Sequence, residues 1–575
     1  MMIDVKKVIH NKIPIMHKLP NFFGDFTSFV LRKIVHQDEI NNFINDHKEY
    51  KPFDFNSAVI NHFSSGYTVS SDNKLNIPET GKVIIVANHP LGAIEALALL
   101  DMIKAVRKDI KIVANEMLMH IEPLRPLFLP VDAFEGKTAR DSIRAIHAAL
   151  SNEEAVIIFP AGEVSRLRKN GIKDRAWNKG FLTFARKAEA PILPILISAR
   201  NSWGFYALSI INKKLSSLLL AHEMFRKDGD SIKMTVGKLI PSSSYFNSKI
   251  DDQALAKLFK KHLYNLKKKF ARNIFKTIET IAASGPKDEI MEELRTCQLL
   301  GETSDGKKIY LYEDSNQLAI LNEIGRLREF TFRQVNEGSG KRRDIDKYDK
   351  YYKQLILWDD QTNEMVGAYR LGIGKDIYKE YGKDGFYSHT LFKFNEEFES
   401  LLEHSIELGR SFVQPRYWGT RALDYLWQGI GAYLRVNPDV KYLWGPVSLS
   451  DAYPRDAKEK ILYFYSKFFG DNKELVEARN RFVISENVKN SLEKLFPGND
   501  YREEFRLLKE NMSLYSLSVP TLYKQYAEVS EDDGTKFLAF NIDPDFNNCI
   551  DSLIIVDIDK ILESKRKRYI DEATL

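Results

Sequence analysis

Two cysteines in 575 residues, Cys297 and Cys549, cannot make a disulfide framework and offer no metal-ligand spacing. That scarcity fits a reducing, cytoplasmic compartment. No window approaches the roughly 20 apolar residues of a membrane span, so any lipid-facing role is peripheral, on the inner face of the cell membrane. Residues 1–11 alternate Lys with apolar residues and lack an unbroken apolar core, which argues against a signal peptide. Internal repeats and low-complexity tracts are also missing. A net charge of +5 is too small to mean nucleic acid by itself. What is present, 44% hydrophobic and 28% charged residues, is the composition of a folded chain, and the length calls for two domains or more.

The distribution of charge says more than its sum. Residues 253–278 hold Lys257, Lys260, Lys261, Lys267, Lys268, Lys269, Arg272 and Lys276 and no acid. Leu255, Leu258, Phe259, Leu263, Leu266, Phe270 and Ile274 recur there at helical spacing. Such a basic amphipathic helix suits an anionic membrane surface or an acidic carrier protein. The plain alternative is the solvated outer face of a packing helix.

Residues 1 to about 80 read as helical, with turns at Ser64-Ser65-Gly66 and Ser71-Asp72-Asn73. Short apolar runs at 83–87, 110–114, 155–159 and 191–198 then alternate with helical stretches at 95–106, 138–150 and 180–189. This predicts an α/β sheet, mostly parallel, which a strand at 232–239 closes. Ala282-Ala283-Ser284-Gly285-Pro286 marks a domain boundary, giving domains 1–282 and 283–575. The second half opens with a strand at 308–312 and a helix from Ser315 to about residue 335. A hairpin at 354–359 and 364–373 follows, then a helical insertion at about 451–510.

Two polar loops follow apolar strands in the first half. Asn88-His89-Pro90-Leu91-Gly92-Ala93-Ile94-Glu95 sets a histidine before a Gly turn and a carboxylate at a helix start. An acid so placed orients the imidazole and leaves its far nitrogen to take a proton from a hydroxyl. A histidine that merely caps a helix is the plain alternative. The second loop, Phe159-Pro160-Ala161-Gly162-Glu163-Val164-Ser165-Arg166, also ends a strand, where open α/β sheets place their sites. Together these resemble the phospholipid acyltransferase family over residues 60–245. Arg125-Pro126 with Leu129-Pro130-Val131-Asp132 resembles its intervening motif, and Pro191–Pro194 the last one. Trp177, Lys179 and Gly180 resemble a helix start of its hemolysin-like branch. The resemblance implies His89 and Glu95 as catalytic pair, and Asn88, Gly162, Glu163, Ser165 and Arg166 at the acceptor. Arg166 suits a phosphate or carboxylate head group, with Arg168, Lys169 and Lys173 following it. Here five residues separate His89 from the acid, and Ala161-Gly162 replaces the family's Glu-Gly pair, linked to glycerol phosphate.

In the second half, Glu407-Leu408-Gly409-Arg410-Ser411-Phe412-Val413 reads as a strand. It runs through Gln414-Pro415-Arg416-Tyr417-Trp418-Gly419-Thr420-Arg421 into an apolar helix at 422–434. A strand, a Gly-containing basic loop and a helix start make an anion cradle. With Gly367-Ala368-Tyr369-Arg370, Leu426-Trp427-Gln428-Gly429, Pro520-Thr521-Leu522-Tyr523, Asp543-Pro544-Asp545-Phe546 and the closing Asp551-Ser552-Leu553, this resembles the hemolysin-like GNAT N-acyltransferases over residues 310–570. The resemblance implies donor binding at Arg416, Gly419, Thr420 and Arg421. Glu407 and Arg410 are expected to handle the amine, with Asp543 and Asp545 as runners-up. Trp427 and Tyr369 suit a core equally well.

Both halves in this order resemble the fused aminolipid (ornithine-lipid) synthase family. The implied fold is an αβ acyltransferase sheet followed by a GNAT-like α+β domain. The implied chemistry N-acylates an amino acid with a 3-hydroxyacyl group, then O-acylates the hydroxyl. The donor is acyl-ACP or acyl-CoA, acyl carrier protein the partner, and no metal is implied. Alternatives are a lysophospholipid acyltransferase fused to a GNAT domain serving another amine, and a non-catalytic lipid-binding scaffold.

Overall fold

The computed structural model describes residues 29 and 32–571 apart from 64–65, 116–117, 120, 132–136, 169–170, 227–230, 269–271 and 314–317. The features expected at residues 1–11, Ser64-Ser65, Asp132, Lys169, Lys269, Phe270 and Ser315 lie outside the described residues. The chain divides into two compact units, the first ending at Thr280 and the second starting at Ile281.

The first unit contains β1 (Tyr67–Thr68), β2 (Val83–Ala87), β3 (Ile110–Asn115), β4 (Phe128–Val131) and β5 (Ala155–Ile158). A small hairpin of β6 (Arg166–Arg168) and β7 (Gly171–Lys173) follows, then β8 (Ile192–Ser198) and β9 (Ile232–Val236). Its seven-stranded sheet runs β1-β9-β8-β2-β5-β3-β4. Every neighbouring pair is parallel except β8 with β9. Strand β2 is apolar at every position because both faces of the sheet are covered. Val83, Ile85 and Ala87 meet the helices Pro52–His62 and Ile94–Lys104, while Ile84 and Val86 meet Phe181 and Phe259 on the other side. As the central strand, β2 lies between β5 and β8, so its carboxyl end opens beside that of β5.

The basic stretch at 253–278 is not a free membrane helix. Its helix, Asp252–Asn265, starts at Asp251, whose carboxylate accepts from Gln253 N and Ala254 N. Leu255, Phe259 and Leu263 are buried against Ile84, Val86 and Phe181, so the apolar stripe is spent on the core. Lys260 is tied down as well, donating to the carbonyls of Asp174 and Arg175.

The second unit holds β10 (Gln298–Glu302), β11 (Lys308–Tyr312), β12 (Lys353–Asp359), β13 (Glu364–Ile373), β14 (Phe392–Phe394) and β15 (Ser405–Val413). These are followed by β16 (Tyr442–Leu449), β17 (Val476–Ala478), β18 (Thr535–Asp543) and β19 (Cys549–Asp557). Eight of them form one sheet in the order β10-β11-β12-β13-β15-β16-β19-β18. Only β15 and β16 pair in parallel, over Ser405–Glu407 and Tyr442–Trp444. Beyond Gly445 the partner of β16 is β19 alone, so β15 and β16 part into a wedge. The expected helical insertion is the helices Arg455–Phe469, Glu486–Leu495 and Tyr501–Ser513, with the unforeseen strand β17 among them.

Gly445 sits at the apex of that wedge, where a Cβ would stand 1.9 Å from the Leu408 carbonyl oxygen. Gly445→Ala is expected to cost about 1–3 kcal/mol by overpacking, read as a lower melting temperature of the second unit's transition.

Candidate active site

Three backbone segments meet at the carboxyl ends of β2 and β5. His89 follows β2, and its Nδ1 lies 2.9 Å from Glu95 Oε1. The contact is short but poorly directed for an N–H bond, so charge carries most of it. Glu95 is wholly buried at the start of helix Ile94–Lys104, and the same oxygen accepts from Leu91 N at 2.8 Å and Gly92 N at 2.7 Å. Gly92 makes this turn at φ +116°, and a Cβ there would crowd Leu220 and Val164. The extra residue between His89 and the acid is absorbed in this turn, which folds the longer Glu side chain back to the ring.

Burial alone depresses the His89 imidazole, but the Glu95 charge, assisted by Asp174, outweighs it and holds the ring above its ordinary value. Burial likewise pushes Glu95 up, and His89 with the two N–H groups more than reverses this, so the carboxylate stays ionised. Phe159 covers one face of the imidazole, with ring centroids 4.5 Å apart. The far nitrogen, Nε2, has no partner among the described residues.

Asp174 holds the two loops together. Its Oδ1 accepts from Ser165 Oγ at 2.5 Å and His89 N at 3.2 Å, and its Oδ2 accepts from Trp177 Nε1 at 2.9 Å. Ser165 N in turn donates to the His89 carbonyl at 2.6 Å. Arg166, 7% exposed, donates to Ser216 Oγ at 2.7 Å and Ser217 Oγ at 3.3 Å. No carboxylate pairs with it among the described residues, and its Nε lacks an acceptor.

In the second unit acids gather around the far end of β16. Glu337 Oε2 accepts from Ser448 Oγ at 2.8 Å, and Asp551 faces Ser448 across β16 and β19. Burial raises Glu337 to about 7, with Ser448 opposing weakly. Burial, then Asp543 and Glu337, keeps Asp551 well above the usual carboxylate range against the pull of Arg410. Arg410 occupies a β-bulge at φ +48°, between the rings of Tyr387 and Phe546, each 4.8 Å away. Asp344 and Asp346 lie 3.4 and 3.6 Å from its guanidinium.

The loop expected to bind the donor is open. Gly419, at φ +77°, has nothing near the place of a Cβ. Thr420 Oγ1 accepts from Ala422 N at 3.3 Å at the start of helix Ala422–Val436. Arg416 pairs with Glu364 at 2.6 Å and Arg421 with Asp424 at 3.6 Å, both half-exposed.

Residues 7–271 match the family described as Acyltransferase, and residues 327–428 that described as Acetyltransferase (GNAT) domain. The glycine N(alpha)-acyltransferase of Phocaeicola vulgatus is 34% identical over 309 residues, covering 51% of this chain and 93% of that protein. The lyso-glycine lipid O-acyltransferase of Bacteroides thetaiotaomicron is 33% identical over 260 residues, 44% of this chain and 93% of that protein. The L-ornithine N(alpha)-acyltransferase of Rhizobium meliloti is 37% identical over 106 residues, 17% of this chain and 34% of that protein. The chain belongs to the aminolipid synthase family. It is an acyltransferase with an acyltransferase domain followed by a GNAT domain.

Within this synthase, several expected residues have other work. Asn88 is a strap: its Nδ2 donates to the Ile197 carbonyl and its Oδ1 accepts from Ile197 N, joining the ends of β2 and β8. Ser165 is buried and committed to Asp174. Gly162 shapes the loop at φ +63°, and Glu163 faces Lys213, Arg175 and Arg168 at 3.8, 3.9 and 4.0 Å.

The larger correction is Glu407. Its Oε1 accepts from Ser388 N and Ser388 Oγ, and its Oε2 from Tyr387 N and Tyr352 OH. A buried carboxylate with both oxygens filled has no lone pair to offer an amine, so Glu407 anchors β15 to the 387–388 loop. Asp545 faces solvent, and Asp543 Oδ1 caps the following turn through Asp545 N and Phe546 N. Glu337 and Asp551 are acids with spare capacity; Asp551 opens the closing motif of the GNAT resemblance, whereas Glu337 stands in none. Asp174 was equally hidden, although Trp177 three positions on marked its neighbourhood.

Glu337 titrates above its unfolded value, so its burial costs stability that grows as pH rises from about 4.5 to about 7 and is full above that. Glu337→Gln is therefore expected to raise stability at pH 8 by up to about 3 kcal/mol, read as a higher melting temperature, and to change little at pH 4. An equal gain at both pH values removes the titration as its cause.

Proposed function

We propose that the second unit N-acylates glycine with a 3-hydroxyacyl group and that the first unit then O-acylates the hydroxyl so delivered. The observation that carries this is the buried His89–Glu95 pair beside Arg166, a guanidinium with no carboxylate of its own among the described residues. Glycine is favoured over ornithine because the glycine N-acyltransferases align over almost their whole length, whereas the Rhizobium ornithine relative aligns over a third of its own.

In the first unit, His89 Nε2 takes the proton of the fatty hydroxyl as its oxygen attacks an acyl thioester. Glu95 holds the imidazolium that forms. Arg166 receives the carboxylate of the lyso-lipid, replacing the contacts a glycerol phosphate acceptor would need. In the second unit, a neutral amine attacks a second thioester within the wedge. Glu337, near 7, is matched to take the amine's proton at neutral pH, with Asp551 and Arg410 fixing the amino acid. The loop around Gly419, with Arg416, Thr420 and Arg421, receives the phosphopantetheine of acyl carrier protein, or of CoA. Acyl groups pass directly from thioester to acceptor, and the thiol leaves with a proton.

Expression in a host that makes no aminolipids tests this by mass spectrometry of its lipids. The unaltered chain is expected to yield a diacylated glycine lipid, His89→Ala to accumulate the mono-acylated form, and Glu337→Gln to lower both products about 100-fold or more. Consumption of lysophosphatidate with no glycine lipid favours the lysophospholipid alternative. If no wild-type lipid product forms under either assay, the scaffold alternative stands.

His89 acts only when neutral, so O-acylation falls as pH drops through its raised pKa. Glu95→Gln removes the charge that holds the proton. The acid limb of the pH–rate profile is expected to move to lower pH while kcat falls about 100-fold or more.

A further inference from the structure

Helix Trp203–Ile211 breaks the rule that a surface helix is apolar on one face only. Its inner face is filled by Phe205 and Tyr206, both 1% exposed and packed with Val164. The outer stripe, Trp203, Ala207, Ile210 and Ile211, follows the same helical spacing and is nevertheless apolar. Trp203 is 63%, Ile210 69% and Ile211 82% exposed. Leu167, on the β6–β7 hairpin, adds a further exposed apolar side chain at 40%. Cations gather beside it: Arg168, Arg175 and Lys213 all reach toward Glu163, and one carboxylate cannot neutralise three. Among the described residues no helix is long and apolar enough to cross a membrane.

We infer that helix Trp203–Ile211 and the Arg168, Arg175 and Lys213 cluster form a docking surface for the face of an anionic lipid bilayer. Apolar side chains flanked by cations, with a tryptophan at one end, are what an interfacial element requires. The charge complementarity favours a bilayer over a second copy of the chain, which would set cations against cations. The surface also lies beside the reacting groups. Arg166, between Val164-Ser165 and Leu167, reaches Ser216 and Ser217 on the next helix and packs over Phe205 at 5.8 Å. A lipid whose tails stay in the bilayer would present its head group to Arg166 and its hydroxyl near His89. The docking surface stands on its own geometry, and only this delivery rests on the proposed function.

The test is co-sedimentation of the full chain with vesicles of phosphatidylcholine, with and without phosphatidylglycerol. The unaltered protein is expected to pellet with the anionic vesicles, less with neutral ones, and less as salt rises. Ile210→Ser with Ile211→Ser is expected to weaken binding about tenfold or more without lowering the melting temperature. Trp203→Ser gives a separate readout should the double variant melt early. The proposal is overturned if wild type does not pellet, if the stripe variants pellet undiminished, or if wild type is a dimer that they dissociate. It is overturned too if Lys257→Ala with Lys261→Ala, on the packed helix, costs more binding than the isoleucine pair. Vesicle binding without any lipid product would defeat the proposed function and leave the docking surface intact.

Discussion

A carboxylate taken out of water must be met by donors, and how fully it is met decides what it does here. The effective penalty for an ion buried in a protein is several kcal/mol. A hydrogen bond to a charged group returns about 1.5–3 kcal/mol. Glu407 and Asp174 have donors on both carboxylate oxygens, and Glu95 gathers enough to remain charged in the interior. Glu337 has the Ser448 hydroxyl, and Asp551 a weak thiol contact from Cys549, so both are driven toward the protonated form. The well-met acids fix geometry. Of the poorly met ones, Glu337, at about 7, is poised to exchange a proton near neutral pH.

Glu95 belongs partly to each kind. Two of its donors are backbone N–H groups of the Gly92 turn, which set the carboxylate's position whatever the imidazole does. The remaining interaction is with His89, the one donor that can lose its proton. The turn thus supplies enough stabilisation to keep Glu95 ionised, while its charge tunes the ring. Asp174 does the complementary work on the backbone, holding the His89 and Ser165 segments at one carboxylate. The site is rigid in its frame and free at a single nitrogen.

Local pattern carried much of the architecture. The apolar runs at β2, β5 and β8 declare themselves because a strand covered on both faces has almost no polar positions to blur it, and β3 shows through despite Lys111. The hairpin β12–β13 and the helix Ala422–Val436 were equally legible. Strand β4 was not, because Pro126 and Pro130 disguise it, and β1 is two residues long. In the sites, His89 and Glu95 could be paired from sequence because a short turn joins them. Asp174 and Glu337 come from distant segments outside any motif, and Asp551, though its motif was visible, has neighbours that do not reveal whether donors will reach it. Glu407 misled for the same reason, since a charged residue on a strand before a donor loop suits catalysis until Tyr352, Tyr387 and Ser388 are found around it.

Amphipathicity misleads in a related way. The stretch at 253–278 and the helix Trp203–Ile211 both bear apolar residues at helical spacing, and the first has far more charge. Periodicity identifies a face but not its partner. In helix Asp252–Asn265 the stripe is consumed by the sheet, leaving lysines to water and to the Asp174 and Arg175 carbonyls. In helix Trp203–Ile211 the sequence is apolar nearly all round, which from sequence alone reads as a core element. Only the fold distinguishes the isoleucines facing outward from the aromatics facing in. A small, nearly neutral apolar segment is therefore the one that water leaves unexplained, while the longest basic tract is an ordinary wall of the core.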